Sequence, residues 1–395
     1  MRIAYVCADP GVPAFGRKGC SVHVQEVLRA AVRHGAHVDL FASRFDGDSP
    51  PGLEAIGRRP LPRPKGDPAV REQAAIAANR DLTTALEREG PFDLVYERYS
   101  LWSYAGMEFA RARGAPGLLE VNAPLIEEQA EHRNLIDRAG AERVAGRVFA
   151  AAGGLVAVSE EVAAYLERYE EARGRVHVVP NGVDPGRFPA GLEPALPELR
   201  GSFTVGFVGT LKPWHGLPDL VEAFALLHPV DPGARLLVVG DGPERPSLVA
   251  NLEARGLLAS AHLTGVVAPA EVPALLASMD AAVAPYPNRP GFYFSPLKVY
   301  EYMAAGLPVV ASRIGQLTGL IRDEVDGLLC PPGDPAALAA ALDRLRQDPG
   351  LRSRLGRAAR ATVLRDHTWD TAFGHILLLA GSRPLTRLRP VEVEG

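Results

Sequence analysis

Short apolar runs alternate with helical patterns along the chain. In the first half, the apolar runs lie at 2–8, 37–42, 92–97, 117–121, 154–158 and 176–179. Between the first two runs, apolar residues recur at i, i+3, i+4 and i+7, which is the spacing of one helix face: Val24, Val27, Leu28 and Ala31. Further helices are predicted at 67–89, 101–113, 124–152 and 160–169. Apolar strands that alternate with helices indicate a parallel sheet covered on both faces.

The same alternation restarts after a proline-rich segment. Residues 189–200 (PAGLEPALPELR) have three prolines and little periodicity, so we predict a linker at 189–201. Further strands are predicted at 204–209, 235–240, 262–264, 281–285, 309–312 and 327–330. The fold class is therefore α/β, with two Rossmann-like, doubly wound parallel-sheet domains at 1–188 and 202–366. Residues 367–395 are predicted to form a last helix, which crosses back to the first domain, and a tail.

Composition narrows the class of protein only slightly. The length of 395 residues suits two domains, and a net charge of −4 argues against a nucleic-acid partner. The three cysteines have no metal-ligand spacing and fit a reducing compartment. The apolar start predicts a buried strand rather than a signal peptide, and no run reaches the ~18 residues of a membrane span. We expect a cytoplasmic protein with at most peripheral membrane contact.

Such a pair of domains leaves several activities open. It fits glycosyltransferases, sugar-nucleotide epimerases, some phosphorylases and periplasmic-type binding proteins, and fold alone does not choose among them. The choice depends on individual motifs.

The segment 292–311 (FYFSPLKVYEYMAAGLPVVA) predicts a phosphate-binding helix start. Ser295 is a candidate hydroxyl cap, and Pro296 suits the first helical position. Free N–H groups and a partial positive charge at this start, around Leu297, suit a diphosphate. Lys298 in the first turn adds a full charge.

Glu301 lies six residues after Ser295 and can place its carboxylate on a ribose diol. Residues 301–309 (EYMAAGLPV) resemble the second half of the Glu-x7-Glu signature of glycosyltransferase family 4. This resemblance covers nearly the whole chain. It implies the GT-B fold, with two domains facing across a cleft, and retaining transfer from a nucleotide diphosphate sugar. The first acid of the signature falls at Tyr293, which the resemblance places with Phe294 near the donor sugar or acceptor.

A second match lies at 205–216 (VGFVGTLKPWHG), where a strand, a turn at Gly209 and a helix form phosphate-binding geometry. Family members commonly read G-R-L-x-x-x-K-G here. Thr210 replaces the arginine and His215 the lysine, so Lys212 is the predicted substitute cation. A structural turn with an incidental surface lysine is the alternative.

Two further segments resemble the nucleotide site of the family. Residues 239–244 (VGDGPE) include Gly240 and Asp241 and match a loop beside the nucleotide. Residues 265–267 match a stretch whose backbone meets the base edge, which makes Val267 a candidate.

The first domain has a glycine-rich loop at 11–19 (GVPAFGRKG). Gly16 and Gly19 permit close backbone approach, and the resemblance places this loop near the donor phosphates and the acceptor. Arg17 and Lys18 either meet an anionic acceptor or are solvated. Because the loop is not G-x-G-x-x-G, a nicotinamide cofactor is not expected.

Asn122 and Glu120 end a strand on the same predicted rim. Many family members have a sugar-binding histidine where Asn122 falls, and asparagine donates and accepts hydrogen bonds but does not titrate. Glu120 or Glu127 is a candidate acceptor base, or both are surface charges. The predicted catalytic set is therefore Asn122, Lys212 and Glu301.

Two other motifs are assigned no chemistry. Residues 179–188 (VPNGVDPGRF) resemble a family segment that borders the cleft, and we interpret them as structural. Asp46 and Asp48 form D-x-D in a loop, but GT-B enzymes do not generally need such a metal clamp. We therefore predict no metal and no cofactor.

The sequence thus predicts a retaining glycosyltransferase with a nucleotide diphosphate sugar, UDP- or GDP-linked, as its partner and an unidentified acceptor. One alternative is a pseudo-glycosyltransferase that binds a nucleotide sugar without transfer. The substitutions Asn122, Thr210, His215 and Tyr293 favour it. The others are an epimerase on the same fold and a periplasmic-type sugar-binding protein.

Overall fold

The computed structural model describes residues 1–289 and 291–381. Contacts divide this part of the chain into two units. Among the described residues, unit 1 contains Met1–Asn181, Tyr293–Ser295 and 369–381, and unit 2 contains Gly182–Phe292 and Pro296–Thr368. Residues 382–395, in the predicted tail, lie outside the described residues.

Unit 1 is built on a parallel sheet that, in its described part, has seven strands in the order β3-β2-β1-β4-β5-β6-β7. The strands are β1 (Arg2–Cys7), β2 (His37–Ala42), β3 (Gly57–Pro60), β4 (Leu94–Arg98), β5 (Gly117–Val121), β6 (Gly154–Ala157) and β7 (Val176–Val178). The short edge strand β3 was not predicted, because its sequence GRRP has no apolar run.

Helices cover this sheet: α1 (Gly19–Arg33), α2 (Pro68–Ala77), α3 (Asn79–Glu89), α4 (Ala105–Arg113), α5 (Leu125–His132), α6 (Arg138–Ala151), α7 (Glu160–Leu166) and α15 (Trp369–Leu379). The last of these packs within unit 1, where Arg33 of α1 pairs with Asp370 at 2.9 Å.

The prediction of one helix over 67–89 was wrong, because the chain turns at Ala78 between α2 and α3. The cause is the buried Asn79 side chain. Its Nδ2 donates to the carbonyls of Ile76 (2.9 Å) and Trp102 (2.8 Å), and its Oδ1 accepts from Tyr104 N at 2.9 Å. The bonds to Trp102 and Tyr104, in a loop distant in sequence, favour this break over one continuous helix.

The predicted helix 124–152 is also two helices. Asn134 has a left-handed backbone, with φ of 57°, and the Asp137 carboxylate caps α6 by accepting from Gly140 N at 2.7 Å. The left-handed residue ends α5, and the new cap starts α6.

Unit 2 has, within its described residues, a six-stranded parallel sheet in the order β10-β9-β8-β11-β12-β13. The strands are β8 (Thr204–Val208), β9 (Arg235–Val239), β10 (Ala261–Leu263), β11 (Ala281–Ala284), β12 (Val309–Ser312) and β13 (Leu328–Cys330). The helices are α8 (Leu217–Leu227), α9 (Arg245–Ala254), α10 (Val272–Leu276), α11 (Leu297–Ala304), α12 (Leu317–Leu320), α13 (Pro335–Gln347) and α14 (Pro349–Asp366).

The segment predicted as a linker, 189–201, lies in unit 2. Its backbone is bonded there: Ala195 N donates to the Ala274 carbonyl at 2.9 Å, and Leu196 N to Ser278 Oγ at 3.1 Å.

The predicted pair of doubly wound α/β domains is confirmed, and the topology locates the sites. In unit 1 the strand order reverses beside β1, and in unit 2 beside β8. Ligands of such sheets bind at the carboxyl ends of strands next to a reversal. The loops after β1 and β8 are therefore the expected positions of the ligand-binding sites. Within residues 1–289 and 291–381, the helices are too short or too polar to cross a membrane.

Candidate active site

The loop after β8 brings Lys298 of α11 against Gly209. A Cβ built on Gly209, whose φ is +144°, would lie 3.0 Å from Lys298 Nζ. A Cβ on Gly240, at the end of β9, would lie only 2.2 Å from the Gly209 carbonyl oxygen. Both glycines are therefore required for the backbone and the ammonium to approach so closely.

The Lys298 ammonium is buried and has no hydrogen-bond partner among the described residues. It lies 4.0 Å from the ring centroid of Phe207 and 5.7 Å from that of Tyr286, so it is stabilised by cation–π contact. Burial lowers the pKa of Lys298 to about 7, although Glu301 opposes the shift. An unpaired buried cation of this kind is a candidate anion site.

His215 does not supply the positive charge of the lysine that it replaces in the family pattern. Its Nδ1 lies 2.6 Å from the Thr210 carbonyl, which can only accept, so Nδ1 donates and Nε2 is unprotonated. Burial and then Lys298 lower the pKa of His215 to about 3. The ring is thus a neutral acceptor between Phe207 and Tyr286, with centroids 5.8 Å from each.

Lys212, the cation predicted from the sequence, is half-buried on the same loop. Its Nζ lies 5.6 Å from the Trp214 ring centroid. Thr210 is exposed beside it. Two lysines thus lie at this loop, Lys212 on the loop itself and Lys298 on α11, and Lys298 is the one packed against Gly209.

The predicted cap of α11 was wrong. Ser295 Oγ accepts from Asn181 Nδ2 at 2.8 Å, so this hydroxyl is used elsewhere. Pro296 occupies the N-cap position without a side-chain bond, and the helix begins at Leu297. Pro296 has a ψ of 84°, which is not helical, so the helix begins one residue later than predicted.

Glu301 is paired with Arg187, which belongs to the segment 179–188 that we interpret as structural. Arg187 Nη1 lies 2.8 Å from Glu301 Oε1, and Arg187 Nη2 donates to the Pro269 carbonyl at 3.1 Å. The Arg187 side chain is 21% exposed and that of Glu301 is 18% exposed. Burial raises the pKa of Glu301, while Arg187 and then Lys298 act to lower it. The feature of the sequence that could have indicated this pair is the basic residue Arg187 in the motif 179–188.

Backbone contacts join the other nucleotide candidates at this sheet edge. Leu211 N donates to the Asp241 carbonyl at 3.0 Å, and Asp241 Oδ1 accepts from Gly242 N at 2.7 Å. Gly240 forms an isolated antiparallel β-bridge with Gly265. Val267, two residues further on, is half-exposed.

In unit 1, Glu120 belongs to a buried charge cluster with His23 and Arg98. Glu120 Oε1 lies 3.1 Å from His23 Nε2, and Arg98 Nη1 lies 3.2 Å from His23 Nδ1. Burial alone would raise the pKa of Glu120, but His23, Arg98 and Asn122 together lower it. Glu120 is only 3% exposed, and the lowered pKa favours an ionised carboxylate that pairs with His23.

The remaining predicted residues of unit 1 differ in their accessibility. A Cβ on Gly16 would lie 2.7 Å from Pro13 Cγ, whereas Gly19 is the open first residue of α1 with no atom within 4 Å of its Cβ position. The Tyr293 hydroxyl donates to Glu128 Oε2 at 3.3 Å. Its ring lies 4.4 Å from that of Phe294.

Acids outside these groups are held by arginines. Asp46 Oδ1 accepts from Arg44 Nε at 2.6 Å, and Glu127 lies 3.5 Å from Arg168 Nη2. Within the described part of the chain, no three His, Cys, Asp or Glu side chains are grouped as a metal site would require.

Comparison with known proteins extends these observations. Residues 17–187 match the sequence model of "Glycosyltransferase Family 4", and residues 202–348 match that of "Glycosyl transferases group 1". The D-inositol 3-phosphate glycosyltransferase of Salinispora tropica is 30% identical over 94% of this chain and 82% of its own length. The 2-deoxystreptamine glucosyltransferase of Streptomyces kanamyceticus is 30% identical over 83% of this chain and 89% of its own.

Solved structures have the same fold. The sucrose-phosphate synthase of Thermosynechococcus elongatus superimposes with a TM-score of 0.74 at 21% identity, over 97% of this chain and all of its own. Anabaena HepE in complex with UDP-glucose gives a TM-score of 0.74 at 19% identity, over 96% and 99%. On the evidence of both matched halves and of relatives aligned over most of their length, this chain belongs to glycosyltransferase family 4 and is a glycosyltransferase of the GT-B fold.

Proposed function

We propose that this glycosyltransferase takes a UDP-sugar as donor, binds its diphosphate beside Lys298 and transfers the sugar with retention of configuration. The observation that carries the proposal is the buried Lys298 ammonium against Gly209, without a hydrogen-bond partner among the described residues. A buried ion costs on the order of several kcal/mol unless a counter-ion joins it. A diphosphate supplies that counter-ion.

The surroundings suit a leaving diphosphate. The start of α11 adds N–H groups and a partial positive charge beside Lys298. Lys212 supplies a second cation from the loop after β8. Charge that grows on the diphosphate as the bond to the sugar breaks is thereby stabilised, which is electrostatic catalysis.

Glu301 is proposed to hold the ribose. Its Oε1 is bonded to Arg187, which leaves Oε2 to accept hydrogen bonds from a ribose diol. Arg187 also opposes the effect of burial on the pKa of Glu301, and so favours the ionised form that accepts most strongly.

The choice of uridine is supported by likeness of fold. HepE was solved with UDP and with UDP-glucose, and this chain has the same fold. Within unit 2, the loops that include Asp241 and Val267 lie at the strand ends beside Gly240, which is where a nucleoside would extend from the diphosphate.

Retention is supported by family membership. In the proposed step the bond between the anomeric carbon and the diphosphate oxygen breaks, and the acceptor oxygen bonds to the same face of that carbon. The acceptor proton passes to the departing diphosphate.

Donor hydrolysis tests this proposal without knowledge of the acceptor. Calorimetry should show tighter binding of UDP-glucose than of GDP-glucose. Proton NMR should then show that α-glucose, the configuration of the donor, is released before mutarotation. Initial release of β-glucose would contradict retention. Binding without release of sugar would favour a pseudo-glycosyltransferase, and a changed sugar would favour an epimerase.

A further inference from the structure

A pocket of about 260 Å³ lies in unit 1 at the carboxyl ends of four adjacent strands. Asp9 follows β1, Ser43 follows β2, Leu61 follows β3, and Ser100 comes soon after β4. These strands are neighbours in the sheet, in the order β3-β2-β1-β4. The pocket therefore occupies the crevice in which doubly wound sheets bind ligands. The sugar and acceptor candidates predicted from sequence are not among its lining residues.

One wall of the pocket is α2, a helix with no buried residue. Polar bonds hold it in place. Asp67 caps it by accepting from Val70 N at 3.0 Å, and the Glu72 carboxylate accepts from Ile136 N and Asp137 N, both at 2.9 Å. A wall held by polar bonds rather than by core packing leaves its inner face available to a ligand.

The interior of the pocket is largely apolar. Leu61, Trp102 and Leu135 line it while they pack, partly buried, on the core of unit 1. Leu101 also lines it and is 6% exposed. Surfaces of this kind bind rings and hydrocarbon rather than bare polyols, because burying unpaired hydroxyls is costly.

The charges at the pocket are unequal in availability. Glu72 is bonded to two backbone amides, and Asp9 accepts from Gly11 N at 2.7 Å. Arg71 is exposed and has no ion-pair partner in the described ranges. Arg133, also exposed, lies 3.6 Å from Glu128. Arg71 is thus the available charge, a cation over an apolar floor, and Arg133 adds a second cation that Glu128 partly offsets.

We infer that this pocket binds the acceptor, and that the acceptor is a hydroxylated apolar ring system with an acidic group. The inference rests on the proposed transfer, since it names the second substrate. The rings lie against Leu61, Trp102 and Leu135, and the acidic group meets Arg71 and Arg133. One or two rings match the volume better than an oligosaccharide does.

Three probes separate the contributions. We would titrate the wild-type protein with 6-hydroxy-2-naphthoate, 2-naphthol and myo-inositol 1-phosphate, and follow tryptophan fluorescence and calorimetry. The naphthoate should bind most tightly, and naphthol about tenfold more weakly, as for loss of one charge-assisted contact. Inositol phosphate should not compete. Tighter binding of inositol phosphate than of naphthoate would overturn the inference.

Variants connect the binding to the pocket. Leu135→Asp should abolish binding of both naphthalene probes, and Arg71→Gln should lower the affinity for naphthoate towards that for naphthol. Arg80→Gln, an exposed arginine on α3 that does not line the pocket, is the matched control. Unchanged naphthoate binding in both Leu135→Asp and Arg71→Gln, with melting temperatures like that of wild type, would overturn the assignment.

UDP binding on the same samples keeps the two proposals distinguishable. If UDP binds and all three probes fail, the acceptor inference is wrong and the donor proposal stands. If the naphthoate binds and UDP does not, the donor proposal is wrong.

Discussion

At the scale of single residues, the donor site depends on two buried ionic groups. Lys298 has aromatic rings and a glycine around it, and Glu301 has Arg187. Each group is held in an environment that disfavours its charge, and perturbed ionisable groups of this kind are typical of functional sites.

The first prediction concerns Lys298. Lys298→Met should weaken UDP-glucose binding by roughly tenfold to 150-fold, since a charge-assisted hydrogen bond contributes about 1.5–3 kcal/mol. Lys212→Met should weaken it less, because Lys212 is not packed against Gly209. Calorimetry on both variants makes the comparison. An equal or larger loss in Lys212→Met would show that Lys212 is the principal phosphate ligand.

The same lysine predicts a pH dependence. The pKa of Lys298 is lowered to about 7 in the free protein, so the group is charged below that pH and neutral above it. A bound diphosphate favours the charged form. The affinity for UDP-glucose, whose diphosphate does not titrate in this range, should therefore fall as pH rises above about 7. In Lys298→Met this dependence should vanish.

A second prediction concerns Arg187 as a positioning residue. Arg187 holds down the pKa of Glu301 against burial, so Arg187→Met should raise that pKa and protonate the carboxyl at higher pH. UDP-glucose binding should weaken, and the loss should grow as pH falls. Arg200→Met, which removes an exposed pair with Glu193, is the control. A loss independent of pH would indicate that Arg187 acts only through packing.

At the scale of elements, the donor site is made by strand ends that approach without side chains. Gly240, after β9, lies against the Gly209 carbonyl, after β8. Neighbouring parallel strands bring these two turns together, and only glycine fits both the contact and the φ values of +130° and +144°.

The third prediction follows from that contact. Gly240→Ala would place a Cβ 2.2 Å from the Gly209 carbonyl oxygen, so both turns must shift. We expect UDP-glucose binding to fall by at least about tenfold, with a lower melting temperature. Gly319→Ala, where no atom lies within 4 Å of the new Cβ, should change neither. Donor binding in Gly240→Ala equal to that of wild type would place the diphosphate elsewhere.

At the scale of the whole molecule, the two units have the same type of sheet topology. A parallel sheet reverses its strand order beside its first strand, and the loop after that strand carries candidate chemistry. In unit 1 this edge holds the apolar pocket, and in unit 2 it holds Lys298 and Glu301. One chain thus offers a surface for each of two substrates.

The fourth prediction concerns metal. The donor site proposed here balances the diphosphate with Lys298 and Lys212, and Asp46 of the D-x-D motif is bonded to Arg44. Release of glucose from UDP-glucose should therefore persist in excess chelator, and in Asp46→Asn. Activity that disappears in chelator and returns with Mg²⁺ or Mn²⁺ would contradict this proposal.

The sequence by itself determined the parts of the protein that depend on local order. Strand and helix periodicity predicted both parallel sheets, because a strand buried on both faces must be apolar along its length. The motif 301–309 identified α11 and Glu301, because the signature is contiguous.

Tertiary structure decided what depends on residues far apart in the chain. Arg187 pairs with Glu301 across 114 positions, and Lys298 meets Gly209 only once β8 and α11 are packed. The break at Ala78 results from bonds that Asn79 makes to the loop at Trp102 and Tyr104. The unit 1 pocket is assembled from four strand ends, and no single segment carries its pattern. Periodicity reports which face of an element is buried, but a binding site depends on which elements become neighbours.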